Sequence, residues 1–283
     1  MIIHMINYVL VIFFIFFIYV FVLYSESVDS TKTYDLEKDG ACIFKNVLSD
    51  IEIEKLKQQC QDNNYKDSKN KLINHTLLNN IIHKKLGEDY RFQDYIWIIK
   101  KSSVHTCHRD NNGDFFNVSQ KHPSYTLLVY LEDMEKCLGI IPQSHKSLNS
   151  YNINLTNKVE ALLCKKGDAI LFNANLIHVG TIQKKDDHLR IQMKITHNDD
   201  IHVLSYYENF NKVLKKDNTI PKSMLHFQRN ISCMFPFVSD LSQRENIDSA
   251  RGTDNGVKVG TGQKIFSYLF YGNSDFYDLP NAF

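Results

Sequence analysis

Apolar residues are spread unevenly along this chain of 283 residues. From Tyr8 to Tyr24 it reads YVLVIFFIFFIYVFVLY, seventeen residues without a charge, and Met5 and Ile6 extend the run toward the N-terminus. As a helix rising 1.5 Å per residue, this run covers about 26 Å, near the lower limit for a hydrocarbon core of about 30 Å. It is apolar all round, whereas a helix on a soluble core would be apolar along one stripe. The pattern therefore predicts a single-pass membrane segment over 8–24, within an N-terminal anchor over 1–24. Ser25-Glu26-Ser27 offers the small residues a signal peptidase reads. The run is longer than a usual signal-peptide core, however, and no Lys or Arg precedes it, which favours an uncleaved signal-anchor over a cleaved signal peptide. Only Lys32 and Lys38 follow closely, so flanking charge does not set an orientation.

Residues 25–38 are polar and aperiodic and read as a linker. Ala41 to Phe44 is a short apolar run, followed by Ser49-Asp50-Ile51-Glu52, a capping box that predicts a helix through about Cys60. Residues 61–72 are polar and read as a loop, and 74–86 as a second helix with Leu77, Leu78, Ile81 and Ile82 on one face. Beyond residue 90 the pattern changes to short runs rich in branched and aromatic residues: Tyr95 to Ile99, Tyr125 to Leu131, Leu138 to Ile141, Val159 to Cys164, Ala169 to Phe172 and Leu189 to Ile195. Short strands at such intervals predict a β-sandwich or barrel. Leu204, Tyr207, Phe210 and Leu214 suggest one more helix over 203–216. The polar, glycine-bearing stretch 239–264 reads as a mobile loop before a final aromatic stretch from Ile265 to Tyr277. The expected organisation is a mainly-β domain over 39–200 and a C-terminal extension over 201–283.

Composition narrows the function classes. With 43% hydrophobic residues the chain is not disordered as a whole, and Lys+Arg 33 against Asp+Glu 32 leaves a net charge of +1. Binding to nucleic-acid phosphates requires clustered cations, and there is no basic stripe, so nucleic acid is not expected as a partner. The six cysteines are scattered and form no C-x-x-C pair. Neither a disulfide framework nor a structural zinc site is therefore expected. Four N-x-S/T sequons (Asn74, Asn117, Asn154, Asn230) occur among 26 asparagines, about the number chance supplies.

The candidate chemistry begins at His108-Arg109-Asp110. Residues at i and i+2 of a strand share a face and can bind one ion. His197-Asn198-Asp199 has the same spacing, so the motif alone decides nothing. The residues downstream of each motif separate them. After the first, Gly167-Asp168 opens the apolar run Ala169 to Phe172, His178 lies just past it, and Arg190 opens LRIQMKI. After the second there are only His202 and His226, neither behind such a strand. Two histidines and one carboxylate on one face of a metal leave adjacent positions open, the ligand set of non-haem Fe(II) oxygenases. A 2-oxo acid could chelate there beside O2, and an arginine deeper in the barrel offers a planar fork to its far carboxylate.

At these residues the chain resembles the phytanoyl-CoA dioxygenase-like group of Fe(II)/2-oxoglutarate oxygenases. The likeness runs over about 39–197, in four ordered blocks: Asp39 to Ser49, His108-x-Asp110, Glu135-Lys136-Cys137-Leu138-Gly139-Ile140-Ile141-Pro142-Gln143-Ser144-His145-Lys146, and Gly167-Asp168 through His178-Val179-Gly180 to Arg190. It departs from the family pattern at Glu135-Lys136, which replace Asn-Gly, and at Gln143, which replaces a glycine. Both lie in a loop near the site and bear on substrate and loop shape rather than on the metal. The resemblance implies a double-stranded β-helix, a cupin-like jelly roll with flanking helices. It also implies Fe(II) held by His108, Asp110 and His178, 2-oxoglutarate anchored by Arg190, and hydroxylation of a small-molecule or lipid-like substrate with O2. Tyr130 falls near a strand position that lines the 2-oxoglutarate pocket. Retention of Asp110 argues against halogenation. His105 and His145 read as packing or surface residues and Cys107 as a small core residue. The kinase reading of His-Arg-Asp fails, because Phe115 stands where an asparagine is required. The competing expectation is a catalytically inactive jelly-roll module that binds a ligand or partner at the membrane.

Overall fold

The computed structural model describes residues 2–23, 26–101, 104–147, 158–183, 185, 187–242, 259–274 and 276. Most of the expected loop over 239–264 lies outside them. The body is mainly β, two facing sheets with helices on the outer side of the larger one, as in a cupin-like jelly roll. Its strands are β1 (Ala41–Phe44), β2 (Tyr90–Phe92), β3 (Tyr95–Lys101), β4 (Tyr125–Tyr130), β5 (Leu138–Ile140), β6 (Glu160–Leu162), β7 (Ala169–Asn173), β8 (His178–Gly180), β9 (Arg190–His197) and β10 (Phe210–Lys215). The larger sheet has the order β1-β7-β4-β9-β3-β10 with β2 on β9, and the smaller β6-β5-β8.

Alternation along the strands sorts the side chains between two cores. In β4, Leu127 and Val129 face one way and Leu128 and Tyr130 the other; in β7, Ala169 and Leu171 oppose Ile170 and Phe172. The first member of each set joins the outer core under α3 (Asp50–Gln61), α4 (Tyr65–Ile73) and α5 (Thr76–Leu86), through Leu56, Leu72 and Ile82. The second lines the space between the sheets. Strand β9 is split more sharply. Ile191, Met193 and Ile195 enter the outer core, while Arg190, Gln192 and Lys194 are buried on the inner face.

The capping box at Ser49 forms as expected, with Glu52 N–H bonded to the Ser49 hydroxyl and the Glu52 carboxylate accepting from Ser49 N–H at 2.9 Å. Two expectations are corrected. The polar stretch 61–72 contains α4, whose N-terminus is capped by the Asn64 side chain and whose buried face is mostly Ser68, Lys69 and Leu72, too polar to show as an apolar stripe. Residues 203–216 are not helical: a short 3-10 turn, Ser205–Tyr207, leads into β10, which pairs parallel with β3. The turn and strand together imitate a helical spacing.

The apolar N-terminal run forms helix α1 (Ile2–Leu23). Its apolar side chains from Met5 to Tyr19 are exposed, whereas Val20 is fully buried. There α1 meets α6 (Lys222–Met234): Phe17 and Phe227 lie with ring centroids 5.0 Å apart, and Asn230 Nδ2 donates to Val20 O at 2.9 Å. Just beyond, Glu26 pairs with Arg229 (2.9 Å) and Lys136 (2.7 Å), and Ser27 bridges to the edge of β6 through Val159 O and Ala161 N–H. Among the described residues no helix is long and apolar enough to cross a membrane; the side chains of α1 are described only over 5–20. The remaining helices are the short α2 (Leu36–Asp39), α7 (236–242) and α8 (Thr261–Tyr271), the last taking in part of the expected aromatic stretch. No disulfide framework is expected and the six cysteines form a single bond, but it corrects the reading of Cys107 as simply a small core residue. Cys107 and Cys233 are bonded, with Cα atoms 4.9 Å apart, tying the segment before His108 to α6. A separation of 126 residues hides such a pair from any local motif.

Candidate metal centre

His108 and His178 are brought face to face by backbone pairing. Each donates its N–H to the other's carbonyl at 3.0 Å, an antiparallel bridge that continues the smaller sheet past β8. Two residues on, Asp110 N–H is held by Ala174 O at 2.8 Å, so the carboxylate emerges on the same side as the His108 ring. The turn that delivers β7 is fixed by Gly167, at φ +84°, and by Asp168, whose carboxylate accepts from the backbone N–H groups of Asn46 and Lys165. Gly180 closes β8 where any Cβ would collide with Val104 O. The outcome is that one ligand atom from each of His108, Asp110 and His178 falls within 4.8 Å of the others.

The other atoms of all three side chains are already engaged. His108 Nδ1 bonds Thr106 O at 2.9 Å and His178 Nδ1 bonds Leu176 O at 2.9 Å. A carbonyl only accepts, so each Nδ1 carries the proton and each Nε2 keeps its lone pair for a metal. Asp110 Oδ2 accepts from Thr126 Oγ1 at 2.5 Å, Lys194 Nζ at 2.6 Å and, more weakly, Gln192 Nε2 at 3.4 Å, while Oδ1 lies 3.6 Å from His178 Nε2. Burial alone would raise the Asp110 pKa, but Lys194 and the two imidazoles outweigh it and hold the carboxyl well below its usual range. Burial, aided by His108, pushes His178 down to about 3, and burial also lowers His108. The triad therefore stands at neutral pH as two neutral imidazoles and a carboxylate, the protonation state a divalent cation requires.

Beside the triad a cleft runs between the sheets, with Trp97, Leu128, Phe172 and Leu214 among its apolar lining and Arg190 and Gln192 among its polar lining. Arg190 pairs in register with Tyr130 on β4 and Ile99 on β3, and its Nη1 donates to His188 O at 3.0 Å. Among the described residues, the Tyr130 hydroxyl and Trp97 Nε1 are buried with no hydrogen-bond partner. A buried hydroxyl on the residue paired with a buried guanidinium suits a dicarboxylate, whose distal carboxylate would accept from both.

All four residues singled out in the sequence, His108, Asp110, His178 and Arg190, thus lie in or at one cleft. The histidines set aside are elsewhere. His105 is buried against Tyr271 and bonded to Asn218 and Gln228, and His145 bonds Glu37 O at the surface. Cys107 is half of the disulfide. The sequence reading missed Thr126, Gln192 and Lys194. The signal was present in β9, where Arg190, Gln192 and Lys194 alternate with Ile191 and Met193: three polar residues on one face of a strand apolar on the other. The second motif gathers too, as His122, His197 and Asp199, but on the partly exposed surface.

Residues 68–182 match the family described as Phytanoyl-CoA dioxygenase (PhyH). The matched span takes in His108, Asp110 and His178 and ends before Arg190. No curated protein matches the chain. Similar solved structures include HygX from Streptomyces hygroscopicus with nickel and 2-oxoglutarate bound (16% identity, 57% of this chain and 84% of that one, TM-score 0.46). EvdO2 from Micromonospora carbonacea var. aurantiaca, complexed with 2-oxoglutarate, is similar at 13% identity over 60% of this chain and 92% of that one, TM-score 0.45. The non-heme alpha ketoglutarate dependent carbocyclase SnoK from nogalamycin biosynthesis is similar at 14% identity over 60% and 87%, TM-score 0.46. At these identities and scores the likenesses say nothing of this chain's chemistry.

Proposed function

We propose that this chain, a phytanoyl-CoA dioxygenase-like oxygenase, hydroxylates a C–H bond of a small-molecule or lipid-like substrate, using Fe(II) and 2-oxoglutarate. The observation that carries this reading is the triad itself, three convergent ligand atoms whose side chains are locked by backbone carbonyls and by Lys194 and Thr126. His108 Nε2, Asp110 Oδ1 and His178 Nε2 would hold iron. Arg190 and the Tyr130 hydroxyl would take the distal carboxylate of 2-oxoglutarate. Bound together, iron and co-substrate supply the oxidising power: O2 gives one oxygen atom to succinate, formed from 2-oxoglutarate with loss of CO2, and the other to the substrate's new hydroxyl. The chain's own residues position the participants. Leu128, Leu138, Phe172 and Leu214 give the cleft an apolar lining, which favours a C–H-bearing, poorly hydrated portion of the substrate.

We also propose that the protein is held at a membrane. Helix α1 carries the run that the sequence reads as a membrane segment. Its exposed side chains from Val9 to Phe17 are all apolar. The Cys107–Cys233 bond supports a catalytic body on the side of the membrane where thiols are oxidised.

The test is succinate formation from 2-oxoglutarate by the full chain in detergent, with Fe(II) and O2. Turnover, even uncoupled from substrate, is expected in the native protein and absent in His178→Ala. Iron uptake by the native protein without any turnover would instead identify an inactive binding module.

A further inference from the structure

A buried lysine sits against the triad's carboxylate, where chelation of a metal does not require one. Lys194 is 2% exposed. Its Nζ lies 2.6 Å from Asp110 Oδ2 and 3.2 Å from Thr126 Oγ1, and the Thr126 hydroxyl donates to the same Oδ2 at 2.5 Å. The register of β4 against β9 sets Thr126 opposite Lys194, so both donors are built into the sheet rather than carried on a loop. The rings of Tyr95 and Tyr207, each 6.0 Å from the ammonium, enclose it on the remaining side. Thr126, Lys194 and Gln192 all donate to one oxygen of Asp110, Oδ2, and the other, Oδ1, is the one turned toward His178 Nε2.

We propose that Lys194 is a positioning residue that, with Thr126, occupies one oxygen of Asp110 so that the aspartate offers a metal only the other. The inference rests on the oxygenase reading. A carboxylate free at both oxygens can take two positions on a divalent cation, and three protein ligands are useful to an oxygenase only while three further positions stay open. Lys194 therefore protects the vacant half of the coordination sphere more than it serves metal affinity, which a neighbouring cation opposes. A compact ammonium suits this task, because it meets one oxygen as a point charge, whereas a guanidinium fork tends to engage both.

The test is anaerobic titration calorimetry on the full chain, first with Fe(II) and then with 2-oxoglutarate on the Fe(II)-loaded protein, comparing native protein with Lys194→Met and Thr126→Val. Lys194→Met is expected to bind Fe(II) within about tenfold of the native affinity, while 2-oxoglutarate affinity falls by about tenfold or more, the scale of outer-shell effects at metal sites. Thr126→Val, which removes a smaller donor to the same oxygen, moves the same quantity less and carries the test alone if Lys194→Met does not fold. A purely structural lysine would not separate the two affinities. Native binding of both ligands with 2-oxoglutarate affinity unchanged in the variants, or with the whole loss in Fe(II) binding, overturns the clamp alone. Native protein that takes up no Fe(II) overturns the oxygenase reading and the clamp with it.

Discussion

The chain assembles two clusters of two histidines and one aspartate, and their surroundings differ in every respect that matters for a metal. In the first, the His108 and His178 rings are tilted by 54° at 4.4 Å, both Nδ1 atoms are tied to backbone carbonyls, and the carboxylate is buried and clamped. In the second, one ligand atom from each residue also falls within 4.8 Å of the others, but the His122 and His197 rings are stacked at 3.7 Å and 23°. His197 Nδ1 accepts the Asp199 N–H at 3.2 Å, closing a local turn, and Asp199 and His122 are 57% and 38% exposed. The same residue types at the same spacing make a centre in one place and a solvated turn in the other. What distinguishes them is the ring of groups that fixes tautomer, direction and charge.

The sharpest way to break this contrast is to remove one histidine from each cluster. His178→Ala is expected to lower Fe(II)-dependent succinate formation by about 10²-fold or more, and His197→Ala to leave it within about twofold, as for a surface substitution. Equal losses would erase the distinction. Next in size is the bond that braces only the first cluster. Cys107→Ser with Cys233→Ser is expected to cost about 2–5 kcal/mol of stability, read as a fall in melting temperature of the full chain, with no comparable effect from Cys60→Ser.

A smaller effect probes the polar end of the cleft. Tyr130→Phe is expected to raise the KM for 2-oxoglutarate by about tenfold or more without changing the Fe(II) requirement, since a hydrogen bond to a charged group contributes about 1.5–3 kcal/mol. An unchanged KM would leave Arg190 as the sole anchor. The smallest effect lies far from both clusters. Backbone and side-chain hydrogen bonds from Ser49, with His75, hold Glu52 down to about 2. Its folded-state pKa is depressed, so its stabilisation is complete above its ordinary value of about 4.5 and disappears as pH falls toward 2. Glu52→Gln should cost about 1 kcal/mol at pH 7, the scale of a helix cap, and almost nothing near pH 2.

The legibility of this chain tracks its periodicities. The triad residues can be read because the strand holding Ala169 to Phe172 is apolar on both faces and His178 comes after it, a pattern His197 lacks. Strand β9 can be read for Arg190 but not for Gln192 and Lys194, whose inward direction is visible only once Ile191 and Met193 are known to face the helices. Helix α4 is illegible because Lys69 and Ser68 occupy buried positions where a pattern seeks leucine. The turn before β10 carries Leu204 and Tyr207 at a helical interval for packing against Tyr95, and only the pairing with β3 shows otherwise. Cys107 and Cys233 meet by tertiary folding alone.

The grip on α1 joins its exposed apolar surface to the β body. Val20 is sealed against α6, Asn230 holds its carbonyl, and Glu26 is pinned between Arg229 and Lys136. A tether would make no such contacts; here the end of the helix is packed into the body. If the apolar face of α1 is buried in a membrane, as proposed above, these contacts hold the cleft at one height over that surface.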